Sequence, residues 1–145
     1  MQNKDLENYL KLLKSKKVTS SLYDVDDVPI LKIEFNHNTR LFVYCSWRIE
    51  CDHKVFATCR DDKQAQYSLN KLKDAVLIDI ELSEQYDLVL QFNDNLCLRV
   101  FCNISFSCID ENDDYNANWE LGFKVQNLYF RIDNNYILIS EKYYS

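Results

Sequence analysis

The sequence predicts an α+β domain of mostly antiparallel β-strands, with a helix at its start and a short helix near its middle. Several segments alternate apolar and polar residues and are separated by turns rich in Asn and Asp. Two other segments carry apolar residues at helical spacing. The chain has 145 residues, 47% of them hydrophobic and 28% charged, which is typical of one globular domain.

The first element, over residues 4–16, is predicted to be an amphipathic helix. Leu6, Leu10 and Leu13 recur at the spacing that places side chains on one face of a helix. Lysines fall largely on the other side, and those near the helix C-terminus interact favourably with its dipole. We expect the leucines to cover the core and the lysines to be solvated, rather than to form a membrane or nucleic-acid patch.

The remainder of the first half is predicted to be a hairpin, a third strand and a short helix. Apolar residues alternate over 30–35 and, after an Asn-rich turn, over 41–49, which gives a hairpin with one buried side. A third strand is expected over 55–59. Helical spacing over 64–72 then predicts the short middle helix, with Ala65, Leu69 and Leu72 facing inward.

The second half is predicted to consist of strands alone. Along the first of them, alternation places Ile78 and Ile80 on the buried face, and along 119–125 it places Trp119 and Val125 on one apolar side. An acidic loop precedes the strand that begins at Trp119, and a turn without glycine at 133–135 joins the last two strands into a hairpin. The predicted strands cover residues 76–82, 88–92, 96–106, 119–125, 128–132 and 136–140.

The two hairpins, at about 30–49 and 87–106, predict an internal duplication. An offset of 57 residues aligns the identical pairs Leu31/Leu88, Phe35/Phe92, Asn36/Asn93, Asn38/Asn95, Leu41/Leu98, Val43/Val100 and Cys45/Cys102. Each half would be a helix and a β-meander that is too thin to bury its own sheet face until it packs on the other half. The expected organisation is therefore one domain, residues 1–145, with two similar halves.

Charge and composition disfavour several classes of function. A formal net charge of −6 and a pI near 4.9 oppose binding to nucleic acid or anionic membranes and favour basic partners. Gly122 is the only glycine, so the glycine-rich phosphate loops of nucleotide-binding families are absent and turns must use Asn and Asp. The N-terminus is unlike a secretory signal and no long apolar run occurs, so we expect a cytoplasmic protein whose six cysteines are free thiols.

Cys51 and His53 are the sharpest candidates for catalysis. Side chains two positions apart on an extended segment point to the same side and can form a thiolate–imidazolium pair. The spacing is common, and no helix N-terminus or glycine-lined oxyanion hole is predicted nearby, so a structural or surface thiol is favoured. His37 is expected at a solvated hairpin tip. Cys45 and Cys59 lack the spacing of a zinc knuckle, so we expect no metal and no cofactor.

The acidic loop is predicted to contact a protein partner. Its start resembles a calcium-binding EF-hand loop, but Tyr115 replaces the turn glycine and Leu121 the bidentate glutamate. Carboxylates beside an amphipathic ring suit a docking surface for a cationic partner, and a simple solvated loop is the alternative. The candidate contact residues are Asp110, Glu111, Asp113, Asp114 and Tyr115.

The segments Asp87–Phe101 (DLVLQFNDNLCLRVF) and Asn118–Leu121 (NWEL) resemble a pattern in small uncharacterised bacterial proteins. Some of those proteins occur as immunity proteins in contact-dependent or polymorphic toxin systems. The resemblance covers about residues 30–125 and implies a non-enzymatic protein that neutralises a basic toxin, often a nuclease, by occluding its active site. A small metal- or cysteine-dependent enzyme using Cys51 and His53, or a structural or regulatory interaction module, are the alternatives.

Overall fold

The structure, a computed structural model, describes residues 3–25, 29–60, 62–102, 117–133 and 138–141. Helices α1 (Asn3–Leu10) and α2 (Asp62–Leu69) are each followed by a 3₁₀ turn, Lys11–Leu13 and Asn70–Leu72 respectively. The strands are β1 (Val18–Asp24), β2 (Ile30–Phe35), β3 (Thr39–Val43), β4 (Ser46–Cys51), β5 (Lys54–Thr58), β6 (Leu77–Leu82), β7 (Leu88–Phe92), β8 (Leu96–Phe101), β9 (Ala117–Phe123), β10 (Leu128–Asp133) and β11 (Leu138–Glu141).

The strands form two antiparallel sheets, in the orders β1-β2-β3-β9-β10-β11 and β5-β4-β8-β7-β6. The predicted class, mostly antiparallel β with an N-terminal and a middle helix, is confirmed. The core holds Trp47 and Trp119, which are 1% and 0% exposed, and both helices contribute leucines to it. Within the described ranges, no helix combines the length and the apolar content needed to cross a bilayer.

The two halves of the chain repeat the order of a helix, a 3₁₀ turn and five strands, and the second half adds β11. α1 and α2 begin 59 residues apart, as do the 3₁₀ turns that follow them and the strands β1 and β6. Ser15 and Asp74, related by the same offset, both have positive φ, 71° and 69°. The hairpin tips at 37–38 and 94–95 also have positive φ at every residue. Asn, Asp, His and Ser therefore adopt the left-handed turn conformation that glycine usually provides.

The halves exchange strands instead of forming one sheet each. The first sheet joins β1–β3 to β9–β11, and the second joins β6–β8 to β4–β5. The exchange places Trp119 opposite Val43 in one sheet and Trp47 opposite Val100 in the other. The two tryptophans thus occupy equivalent positions, and each packs against the half of the chain from which it does not come.

This exchange divides a segment that we predicted as one strand. The run 41–49 belongs to β3 up to Val43 and to β4 from Ser46, and these two strands lie in different sheets. Alternation does not reveal the break, because Cys45 faces the core at the crossing, as Val43 and Trp47 do in the strands. A residue that points inward from either sheet produces the same apolar pattern.

Two asparagines hold equivalent places where the halves meet. Lys17 and Val76, also 59 residues apart, form an isolated antiparallel bridge with each other. Asn36 Oδ1 accepts the Lys17 N–H at 3.3 Å, and Asn93 Oδ1 accepts the Val76 N–H at 3.1 Å. The sequence repeat and the structural repeat coincide at these residues, while a common origin of the halves stays a prediction.

Two residues expected in the core are exposed. Ile78 is 56% exposed, because a β-bulge between Leu77 and Asp79 reverses the alternation at the start of β6. Val125 is 68% exposed, because β9 ends at Phe123 and a turn follows. A single inserted residue at a bulge is enough to move a side chain from the buried to the solvent face.

Candidate protein-binding face

The predicted contact residues lie outside the described part of the chain, in the segment 103–116. They are Asp110, Glu111, Asp113, Asp114 and Tyr115. The two ends of this segment are described, since Phe101 ends β8 and Ala117 begins β9. The segment therefore connects the second sheet to the first, and we call 103–116 the acidic crossover.

The chain makes the same crossing twice, and the two crossings differ in length. Trp47 and Trp119 are equivalent, because each pairs with the valine that precedes the other crossing. Val43 and Trp47 are four positions apart, whereas Val100 and Trp119 are nineteen apart. Residues 44–46 thus connect the two sheets with three residues, whereas the second half uses the eighteen residues 101–118. The crossing itself does not require the additional residues.

The excess negative charge also lies outside the described ranges. The chain has 23 acidic and 17 basic residues, and removing seven acids and one base leaves 16 of each in the described part. Those removed are Asp26, Asp27, Asp61, Asp110, Glu111, Asp113, Asp114 and Lys142. The described sheets and helices are therefore neutral in total, and the acidic crossover alone contributes four negative charges.

Beside the end of the acidic crossover, the outer surface of the first sheet carries aromatic rings and cations. We call this surface the aromatic face, and it consists of Lys32, Arg40, Phe42, Tyr44, Glu120, Tyr129 and Arg131. Alternation points these side chains outward from the sheet, opposite the core residues of the same strands. Phe42 lies at its centre, with Lys32 on one neighbouring strand and Glu120 on the other.

Two cations flank the central ring. Arg40 Cζ lies 4.9 Å and Lys32 Nζ 5.8 Å from the centroid of the Phe42 ring, within the range of cation–π attraction. Lys32 Nζ also lies 3.3 Å from a carboxylate oxygen of Asp24. These contacts order long side chains around the half-buried ring, which lowers the entropy that a partner would have to remove on binding.

Two tyrosines share one carboxylate on the same face. The Tyr44 hydroxyl donates to Glu120 Oε2 at 3.2 Å. Burial and the neighbouring charge of Glu120, which also accepts a hydrogen bond from the Tyr129 hydroxyl, raise the pKa of Tyr129 far above its usual value. Tyr129 therefore stays protonated, and both rings are fixed by their hydroxyl groups.

Gly122 leaves room beside these rings. It lies within β9, opposite Arg40 on β3 and Tyr129 on β10, and its φ is not positive. Glycine in a strand interior weakens the strand and often marks a place where another group approaches closely. From the sequence we concluded only that a single glycine, Gly122, excludes glycine-rich phosphate loops. A lone glycine within an alternating strand was the available signal for this face.

The geometry around Cys51 and His53 does not favour the candidate thiolate–imidazolium pair. Asp52 and His53 have positive φ, 51° and 66°, so a tight turn and not an extended segment carries them. Cys51 Sγ lies 3.9 Å from Asp52 Oδ2 and from Asp94 O, and His53 is exposed. The cavity beside His53 is about 70 Å³, far below the roughly 300 Å³ of small ligand sites. In the part of the chain that is described, no three His, Cys, Asp or Glu side chains converge as metal ligands.

The outer surface of the second sheet carries an ion cluster, and Arg48 Cζ of this cluster also lies 5.2 Å from the centroid of the Phe101 ring. Arg48 and Arg99 lie opposite each other, and their Nε atoms donate to the same oxygen of Glu50 at 2.6 and 2.7 Å. Burial opposes ionisation of Glu50, but the hydrogen bond from Arg48 and the charge of Arg99 outweigh it and lower its pKa. The carboxylate thus relieves the repulsion of two like charges across the strands.

Comparison with protein-family models, curated proteins and solved structures finds no match to this chain. The resemblance to immunity proteins therefore stays a prediction. A functional proposal must therefore rest on the chain itself, and two of its features support one: the acidic crossover and the aromatic face beside it.

Proposed function

We propose that this protein is a non-enzymatic binding protein that captures a basic protein through its acidic crossover. The difference between the two crossings carries this proposal. The first half crosses between the sheets with residues 44–46, so most of 103–116 is surplus to the fold. Long connections within compact domains are often functional. This one contains four acids, a tyrosine and no base, a composition that suits a cationic protein surface.

The distribution of charge supports a directed approach of the partner. Because the described sheets and helices are neutral in total, the acidic crossover is not merely one part of a uniformly negative surface. A concentrated negative segment attracts a basic protein over about one Debye length and favours encounters in which that segment meets the partner first. Such steering raises association rates and makes them sensitive to salt.

The aromatic face supports a second contribution, affinity after the encounter. The backbone N–H of Tyr44 donates to the carbonyl of Asn118 at 2.9 Å. Asn118 is the second residue after the acidic crossover, so the aromatic face lies beside the end of that segment. Tyrosine, phenylalanine and arginine are enriched at protein interfaces, and tyrosine and arginine often dominate their binding energy. We infer that the acidic crossover steers the partner and that the aromatic face holds it.

Within this class of function, we propose an immunity protein that occludes the active site of a basic toxin such as a nuclease. The resemblance of Asp87–Phe101 and Asn118–Leu121 to proteins of toxin systems supports this finer proposal. Occlusion requires only a rigid scaffold and a complementary surface, and it leaves no need for catalytic groups in the inhibitor.

The test is reversal of the four acids Asp110, Glu111, Asp113 and Asp114 to lysine. Affinity capture from the native host identifies the partner of the unaltered protein, and stopped-flow mixing measures its association rate at several salt concentrations. We expect the rate at low salt to fall at least about tenfold and its salt dependence to flatten. A basic partner whose toxic activity is inhibited at equimolar ratio would support the immunity role.

The matched control reverses four exposed acids of the described part of the chain that lie outside the first sheet and its aromatic face. They are Glu7, Glu81, Glu84 and Asp94. Both variants have the same net charge, so a difference between them reports where the charge lies and not how much there is. Equal association rates for the two variants would remove the acidic crossover as the contact.

A further inference from the structure

Cys45 and Cys102 occupy equivalent positions at the two crossings and lie next to each other. In the β4–β8 ladder Ser46 lies opposite Phe101, and one further step in the same register brings Cys45 opposite Cys102. The two thiol groups are in hydrogen-bond contact. Residues directly opposite in an antiparallel pair have Cα atoms roughly 4.5–5.5 Å apart, within the range that disulfides bridge.

The surroundings of the two thiols differ, which assigns them different roles. Cys45 is 6% exposed, and burial followed by the contact with Cys102 raises its pKa well above the usual value. Cys102 is half-buried, and its Sγ donates to the carbonyl of Tyr86 at 3.1 Å. Cys102 is therefore the thiol that an oxidant reaches first, and Cys45 is the resolving thiol.

Loss of the Cys102 thiol hydrogen leaves no buried polar group without a partner. The carbonyl of Tyr86 also accepts the indole N–H of Trp119, at 2.8 Å. That bond remains when Cys102 no longer donates. The site thus tolerates oxidation without the cost of an unsatisfied buried acceptor.

We propose that Cys45 and Cys102 form a redox-active dithiol that closes to an intrachain disulfide, with a peroxide as the oxidant. The Cys102 thiolate attacks one oxygen of hydrogen peroxide, the O–O bond breaks, and a sulfenic acid and hydroxide result. The hydroxide takes up the proton that Cys102 released and leaves as water. Cys45 sulfur then attacks Cys102 sulfur, the S–O bond breaks, and a second water leaves with the Cys45 proton. Two thiols are oxidised by two electrons, and one peroxide is reduced to two waters.

The remaining described cysteines have other neighbours in the sheet. Cys51 lies opposite Lys54 on one side and Leu96 on the other, and Cys97 lies opposite Glu50 and Gln91. The backbone N–H of Cys59 donates to the carbonyl of Trp47 at 3.2 Å. Within the described strands and the residues that extend them, the register therefore brings only Cys45 and Cys102 opposite each other. The proposed disulfide is specific to that pair.

The disulfide would join the two halves across residues that are 57 positions apart. Closing a loop of this length restricts the unfolded chain and is expected to raise Tm by roughly 10 °C in the oxidised protein. Cys102 also immediately precedes the acidic crossover, so oxidation fixes the residue from which that segment departs. The proposal does not depend on the identity of any partner.

The test is treatment of the full chain with hydrogen peroxide, followed by alkylation of free thiols and peptide mapping without reduction. We expect a mass loss of about 2 Da, a cross-linked peptide containing Cys45 and Cys102, and reversal by dithiothreitol. A second protein, in which serine replaces the four cysteines 51, 59, 97 and 108, should give the same result. Adding Cys102→Ser to that protein should abolish the mass loss.

Some outcomes would overturn the proposal. In a protein that retains its circular dichroism spectrum, a disulfide that uses another cysteine would contradict the pairing. So would conversion of Cys102 to a sulfinic acid without a cross-link. An oxidised protein whose Tm does not exceed that of the reduced protein would contradict the predicted constraint. The unaltered chain gives all three readouts, so failure of the serine variants to fold leaves the test decisive.

Discussion

Removing residues 103–117, so that Cys102 is joined directly to Asn118, is expected to leave the fold intact. The shortened crossing reads Val-Phe-Cys-Asn-Trp, which matches Val-Tyr-Cys-Ser-Trp at 43–47 in the first half. The pairing of Trp119 with Val43 and of Trp47 with Val100 shows that both crossings span the same two sheets. A connection that suffices for one half should therefore suffice for the other.

The expected change in stability follows from loop closure. The cost of closing a flexible connection grows as about (3/2)RT ln n, so shortening it from eighteen residues to three lowers the cost by about 1.6 kcal/mol. For a domain of this size, 1 kcal/mol corresponds to roughly 2–4 °C in Tm. We therefore expect Tm to rise by about 3–6 °C, less whatever the buried Ala117 contributes through its pairing with Asp133.

Calorimetry and urea unfolding measure this change, and two further variants control for it. One replaces 103–116 with Gly and Ser at the same length, and its Tm should differ by less than about 2 °C from that of the unaltered protein. The other replaces 103–116 with Gly-Asn-Gly and retains Ala117. If Tm falls by more than about 5 °C in all three variants, or unfolding loses its cooperativity, the segment stabilises the core. Its surplus length would then no longer support the proposed function.

Three other perturbations test parts of the same account. Glu50→Gln should lower the free energy of unfolding at pH 7 by about 1–3 kcal/mol, since it weakens hydrogen bonds from two partly exposed arginines. The control Glu81→Gln, at an exposed position, should change that free energy by less than about 0.5 kcal/mol. The folded state lowers the pKa of Glu50 from 4.5, so its contribution is lost as pH falls through the folded value, and urea titrations of the two proteins should converge in acid. Asn36→Ala and Asn93→Ala should each cost about 1 kcal/mol in urea unfolding, and a difference above about 1 kcal/mol would mean that the two sites are not equivalent. Gly122→Leu should weaken binding of the captured partner about tenfold by displacing the neighbouring rings, and an unchanged Kd would exclude this part of the aromatic face.

Local periodicity predicted those parts of the fold that depend on local spacing. Ala65, Leu69 and Leu72 are all fully buried below the middle helix, as their spacing indicated. The hairpins close at the Asn-rich turns after Phe35 and Phe92, and the offset of 57 that aligned them also relates Asn36 to Asn93 in the structure. These features need only the backbone geometry of one element or one turn.

Periodicity did not predict how the strands are shared between the sheets. A run of alternating residues looks the same whether it stays in one sheet or passes to a second sheet around the same core, and Cys45 sits at such a passage. The aromatic face was missed for a related reason. Phe42 and Tyr44 occupy outward positions, where alternation predicts polar residues. Large rings at such positions are typical of a binding surface and were the available signal.

The repeat supplies a way to separate what the fold requires from what it does not. Features present in both halves, such as the paired tryptophans and asparagines, serve the shared architecture. Features without a counterpart in the other half, such as the acidic crossover, Gly122 and the carboxylate of Glu120 that binds two tyrosines, are not needed to close a sheet. We therefore assign the proposed binding function to the features that have no counterpart in the other half.

The two cysteines are a shared feature that nevertheless carries chemistry, and the symmetry explains why. Under an approximate two-fold relation, equivalent residues of the two halves contact each other only close to the axis that relates them. Lys17 and Val76 meet there as an isolated bridge, and Cys45 and Cys102 meet there as neighbouring thiols. Cysteines at this position of the two halves are therefore brought together. The offset that relates Trp47 to Trp119 gives Phe123 and Arg131 as the counterparts of Cys51 and Cys59, and Cys97 lies opposite Glu50 and Gln91, so none of these three meets a cysteine in this way.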